Sequence, residues 1–170
     1  MVRTHGHIGI NVVVEDDGRV TAACPAHIRG RMSFRIRYTN PRLDHPGAIT
    51  VTDHLAGIGA EVEVTAHGRL VVEEYDFPIA LLARDLRTWR RGGGASDFVL
   101  VADMFYETPG AIAFHRTDAG WIVSSSLEDT EASAPMPVDW IYAATDDFLR
   151  SVKQDCARLS TRDPASYLGY

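Results

Sequence analysis

Between Arg31 and Tyr38 apolar and cationic side chains alternate: Met32, Phe34, Ile36 and Tyr38 fall on one side, and Arg31, Ser33, Arg35 and Arg37 on the other. A period of two puts successive side chains on opposite faces of an extended chain. This segment therefore reads as a strand with one face on a core and a basic face outward. The same period returns downstream, where Ala60, Val62, Val64 and Ala66 alternate with Glu61, Glu63, Thr65 and His67. Gly68 then turns the chain into a further run from Leu70 to Tyr75. His67-Gly68 is a tight-turn signal, so these two runs form a hairpin.

Upstream, Ile8, Ile10, Val12 and Val14 alternate as far as the turn residues Asp16-Asp17-Gly18, beyond which Val20 to Cys24 completes a first hairpin. Asn40 to Gly47 is rich in turn residues, and a strand is expected over Ala48 to Asp53. The period changes at Asp76-Phe77-Pro78. Asp76 is suited to cap a helix and Pro78 to open one, and Ile79, Leu82, Leu86 and Trp89 recur at spacings of three and four. That helix stops at Gly92-Gly93-Gly94, a short loop between patterned elements and not a domain linker. Strands follow at Phe98 to Met104, Ala111 to Arg116 and Trp121 to Ser126, joined by short turns into an antiparallel meander. Leu127 to Pro137 reads as a polar loop. Ile141, Ala144, Phe148, Val152 and Leu159 then mark a final helical stripe, which Thr145-Asp146-Asp147 is expected to split in two. Residues 160–170 read as irregular.

Hairpin-length connections dominate, and strand and helix do not alternate regularly. The expected fold is α+β: a mostly antiparallel, twisted sheet with two main helical regions packed on one face, in a single domain over residues 1–170. The length of 170 residues, 45% of them apolar, is enough for one core without disulfides or structural metal.

Charge narrows the partners. With 17 basic and 23 acidic residues the net charge is −6, which argues against a phosphate-backbone footprint and hence against nucleic acid. Lys153 is the only lysine among the basic residues, as expected of a GC-rich genome. Cys24 and Cys156 are too few and too far apart for a disulfide framework, so they read as reduced thiols. No stretch has the apolar length of a signal segment or a membrane helix, and the expectation is a cytoplasmic protein.

The candidate chemistry is sparse. His5 and His7 have a metal-compatible spacing but no further ligands with suitable spacing. Asp44-His45 and Asp53-His54 pair a carboxylate with an imidazole, yet neighbours in an extended chain face opposite ways and cannot form a dyad alone. Ser124-Ser125-Ser126 lacks a nucleophile-elbow setting. Cys24-Pro25-Ala26-His27 places a thiol near an imidazole at a strand end. No catalytic residue, metal ligand or cofactor is assigned. The stripe of Arg31, Arg35 and Arg37, with Arg29 before it, either pairs across strands with Glu61 and Glu63 or meets an acidic partner or phosphate. Acidic clusters in the second half form the opposite pattern: Asp103, Glu107, Glu128, Asp129, Glu131, Asp139, Asp146 and Asp147. With Tyr106 and Trp140 as aromatic anchors, they suggest a face for a basic protein partner. Trp89 and Trp121 lie on apolar stripes and read as core.

Tyr75-Asp76-Phe77-Pro78, the run Leu81 to Trp89, Pro109 to Phe114 and Gly120 to Ser125 together resemble a group of small actinobacterial proteins akin to the immunity proteins of polymorphic toxin systems. The resemblance spans roughly residues 75–159 and brings no catalytic residues. It implies a cytoplasmic, acidic α+β binder that neutralises a cognate toxin by contact. The site expected on this reading comprises Asp103, Tyr106, Glu107, Glu128, Asp129, Glu131 and Trp140, facing a toxin domain with a basic surface. A different class remains open: a small-molecule-binding protein or enzyme with a pocket between sheet and helices, lined by residues such as His54, His115 or Asp103.

Overall fold

A computed structural model describes residues 12–14, 20–22, 34–44, 50–101, 109–127, 131–160 and 162–169. The chain forms two compact units, Met1–Met32 and Ser33–Tyr170. In the first, strands β1 (Val12–Val14) and β2 (Val20–Ala22) pair antiparallel as the expected hairpin, with Val13 opposite Thr21. The α+β domain is the second unit.

Its first sheet runs in the order β3 (Phe34–Leu43), β4 (Ile58–Ala66), β5 (Arg69–Pro78), all antiparallel. The alternation sets its two faces: Phe34, Ile36, Val62, Val64 and Val72 are buried, while Arg35, Arg37, Glu63 and Glu73 are exposed. Its turn is the expected one, with His67 at φ 53° and Gly68 at φ 76°. The second sheet, β6 (Phe98–Val99), β7 (Ala113–Thr117) and β8 (Gly120–Ser124), is the antiparallel meander read from the sequence. Helices α1 (Val51–Gly57), α2 (Ile79–Arg91), α3 (Val138–Leu159) and α4 (Ala165–Leu168) complete an α+β fold. α3 packs on β3, and α2 packs on both α3 and β4. The two sheets share one hydrophobic core, in which Phe34 of β3 meets Phe114 of β7 edge-on at 5.7 Å.

Four local expectations are corrected. Residues 51–57 form a helix and not a strand: the Thr50 hydroxyl accepts from the Asp53 amide at 3.1 Å, and the Asp53 carboxylate accepts from the Thr50 amide at 2.8 Å. This reciprocal cap overrides the β-branched run around it. β3 continues through the expected turn at residues 40–43 by a bulge, Asn40 taking φ 51°. α2 starts without a side-chain cap, because Asp76 still lies in β5 and its carboxylate takes Arg42 instead. α3 is continuous for 22 residues: Thr145 is fully buried in the middle of the helix, where packing outweighs its capping tendency.

Between β8 and α3 the chain is irregular, yet Trp121 and Met136 form an antiparallel bridge, with N–H···O distances of 2.9 and 2.8 Å. Gly120 makes this possible. At φ 129°, a β-carbon there would stand 2.8 Å from the Met136 carbonyl oxygen. Gly120→Ala is therefore expected to destabilise the domain by about 2–3 kcal/mol, combining backbone strain with loss of the bridge. At Gly68 an added β-carbon meets nothing within 4 Å. Gly68→Ala should accordingly cost only about 1 kcal/mol of conformational strain. Urea unfolding of both variants checks this; equal losses would remove the role assigned to the Met136 contact.

Candidate functional site

Of the residues expected to form the partner-binding face, Asp103, Tyr106, Glu107, Glu128 and Asp129 lie outside the described residues. So do Arg29, Arg31, His5, His7, Cys24, His27 and His45. The other two, Glu131 and Trp140, come together at the β4–β5 turn. Glu131 faces Arg69 at 3.8 Å, and the Trp140 ring lies 5.8 Å from that of His67. His67 Nε2 in turn sits 3.2 Å from the Ala134 carbonyl oxygen, tying the turn to the segment that carries Glu131. The Arg69–Glu131 pair is largely in solvent, where such contacts add little stability. Both partners thus keep their charge available at the surface.

The outer face of the β3–β5 sheet is the best-defined polar surface. Register places Arg37, Glu63 and Glu73 directly opposite one another across three strands. Of the arginine and glutamate stripes, Arg37 and Glu63 thus stand opposite each other in register. Arg35 instead faces Thr65, and Glu61 faces Thr39. Glu61 is held by neighbours on β3: Asn40 Nδ2 donates to one carboxylate oxygen at 3.0 Å and Thr39 Oγ1 to the other at 2.9 Å. These two bonds, Asn40 first, pull the Glu61 carboxyl below the usual carboxylate range.

The fixed carboxylate arises from two interruptions in the ladders flanking β4. On the β3 side, Asn40 and Pro41 intervene between the pairs Thr39–Glu61 and Arg42–Gly59; on the β5 side, Tyr75 and Asp76 intervene between Glu74–Val62 and Phe77–Ala60. An extra residue turns neighbouring side chains out of the regular pleat. Tyr75 is consequently 67% exposed, at the rim of a shallow depression of about 220 Å³ bounded by Arg37, Glu61, Glu63 and Glu73. At the end of the same sheet, Arg42 joins Asp44 and Asp76. Sequence reasoning found the charged stripes but missed the bulges, since a one-residue slip leaves no compositional mark.

The residues proposed for a small-molecule pocket have separate surroundings. His115 on β7 is half-buried, its Nδ1 3.0 Å from Asp97 Oδ2, while Asp97 Oδ1 accepts from the Arg116 amide at 2.9 Å. The amide of Arg116 and then the imidazole hold the Asp97 carboxyl below its ordinary range. This carboxylate–imidazole pair depends on the β6–β7 register, so adjacency in sequence could not show it. His54 is buried on α1, stacked on Tyr167 of α4 at 5.2 Å and 17°. Its neighbour Asp53 serves the helix cap, its carboxylate accepting from the Thr50 amide. Asp103, the third pocket residue, is outside the described set.

Other candidates have structural employment. Ser125 donates to the Ala111 carbonyl at 2.8 Å and accepts from the Leu127 amide. Asp146 pairs with Arg90 and Asp147 with Arg150, and Asp139 is exposed. Among the described residues, no three His, Cys, Asp or Glu side chains are grouped so as to hold a metal ion. No helix among them is long and apolar enough to cross a membrane.

These features define an α+β domain whose first sheet is packed by helices on one face and presents charged side chains on the other. The chain belongs to the family described as a domain of unknown function (DUF7878), which it matches over residues 32–158. No curated protein and no solved structure matches the chain.

Proposed function

We propose that this chain is a non-catalytic protein-binding domain, an immunity protein of actinobacterial type that neutralises a cognate toxin by direct contact in the cytoplasm. The observation that carries this reading is the open face of the β3–β5 sheet, where Arg37, Glu63 and Glu73 form a row beside the fixed Glu61 and the exposed Tyr75. Charged side chains in a rigid sheet, with an aromatic at the rim, suit recognition of a protein of opposite charge. The acidic face of Asp103, Tyr106, Glu107, Glu128, Asp129, Glu131 and Trp140 belongs to the same reading and supplies further negative charge for a basic toxin surface.

Co-expression with the toxic domain of the protein encoded beside this chain tests the proposal. Restored growth and a stable complex are expected, and charge reversal of Glu61, Glu63 and Glu73 together should weaken that complex at least tenfold, mainly by slowing association. Absence of both rescue and complex would overturn the reading. A second reading, a small-molecule binder or enzyme, draws its support from the Asp97–His115 pair. Encoding among metabolic genes, with His115→Ala abolishing ligand binding, would favour it.

A further inference from the structure

Cys156, near the end of α3, is fully buried beside Tyr167 of α4, and two further buried polar side chains, His54 from α1 and Ser160 just past α3, adjoin Tyr167. The His54 ring stacks on that of Tyr167, and Ser160 Oγ lies 3.5 Å from His54 Nδ1. The Tyr167 hydroxyl is buried without a properly directed hydrogen-bond partner, its polar neighbours being the Cys156 thiol and Ser160. An orphaned hydroxyl over a thiol is a poor design for a permanent core. It suits a cover that can be withdrawn.

The cover is slight. α4 has four residues, too few to hold helical structure unaided, and it ends at Gly169 in the left-handed region. Besides the burial of Tyr167 and Leu168, it is fastened by Arg91 Nη1 donating to the Gly169 carbonyl at 2.8 Å and Arg162 Nε donating to Ser166 Oγ at 3.2 Å. The family match ends at Arg158, so Cys156 and His54 belong to the matched domain while Tyr167 lies beyond it.

We propose that α4 is a latch over a thiol-modification site: it opens without unfolding of the sheets, and Cys156 then exchanges with small disulfides. In that step the Cys156 thiol loses its proton to solvent, and the thiolate sulfur attacks one sulfur of the disulfide. A mixed disulfide forms and the other sulfur leaves as a thiolate. While the latch is shut, burial pushes the Cys156 thiol up to about 11, so the closed site is both covered and chemically quiet. Because Cys156 has no free surface, an adduct on it occupies the place of Tyr167 and prevents the latch from closing again.

The full chain carrying Cys24→Ser, treated with 5,5′-dithiobis(2-nitrobenzoic acid) across a urea series, tests this. Local opening predicts a modification rate that depends on urea much less steeply than global unfolding followed by tryptophan fluorescence. Tyr167→Ala should raise the rate in the absence of urea at least tenfold, whereas Tyr167→Phe, which removes only the orphaned hydroxyl, should leave it unchanged or slower. A urea slope equal to that of global unfolding overturns the latch. So does a Tyr167→Ala rate indistinguishable from that of the parent chain.

Discussion

Trp89→Ala is expected to remove about 3–5 kcal/mol of folding stability, a large part of what a domain of this size possesses. The indole is the centre of the aromatic core. Its ring lies 5.9 Å from Phe98, 5.5 Å from Phe114, 5.9 Å from Trp121 and 5.7 Å from Tyr142. These contacts join α2 to the β6–β8 sheet and to α3, so truncation opens a void bordered by three elements that cannot all collapse into it. The loss has a polar part as well, since Nε1 donates to the Ser96 carbonyl at 2.7 Å and fixes the loop after the glycine run. Trp89→Phe retains most of the packing and loses this bond, and should cost about 1–2 kcal/mol. Urea unfolding of the two variants separates packing from hydrogen bonding; a loss below about 1 kcal/mol for the alanine variant would mean that the core tolerates the void.

Trp89 was also among the positions easiest to read. Its spacing from Ile79, Leu82 and Leu86 placed it on a buried helix face, and all four are buried. The strand faces and the His67-Gly68 hairpin were legible for a similar reason: a repeated period states which side of an element meets the core. What failed depended on one residue or on distant parts of the chain. The run Ile49 to Thr52 is β-branched, but the bonds between Thr50 and Asp53 decide for helix. Thr145 resembles a cap, but at zero exposure it is governed by its neighbours in space. The surroundings of the candidate site were harder still. Tyr75 is turned outward by a slip in register, and the meetings of Asp97 with His115 and of His54 with Tyr167 exist only after the strands and helices have been placed. The stripes could be read from local order, whereas the sites formed from tertiary order could not.

The cluster under α4 gives the last of these a thermodynamic signature: stability is expected to fall steeply as the pH is raised from about 9 toward 11. Burial, outweighing the opposing contact with Tyr167, raises the Cys156 thiol from 9.0 to about 11. Burial likewise raises the Tyr167 phenol, and burial together with the 2.7 Å bond to Asp155 and its charge raises the Tyr38 phenol. In each case the folded state keeps a proton that the unfolded chain releases. The stabilisation is therefore complete below the unfolded values, near 9 for the thiol and about 10 for the phenols, and is lost as the pH rises through them. For the fully buried thiol the slope is about 1.4 kcal/mol per pH unit until the folded value is reached; half-exposed Tyr38 contributes a smaller share. Urea midpoints at pH 8 and pH 10.5, in a Cys24→Ser background, measure the effect. Cys156→Ala should flatten the first part of the decline and Tyr38→Phe the later part, while an unchanged midpoint across this range would refute the assigned burial of the thiol. The background is unusually favourable for the measurement: Lys153 is the only lysine, and arginine keeps its charge at these pH values. The chain has six tyrosines, so the Cys156→Ala and Tyr38→Phe variants are what assign the decline to the buried thiol and phenol.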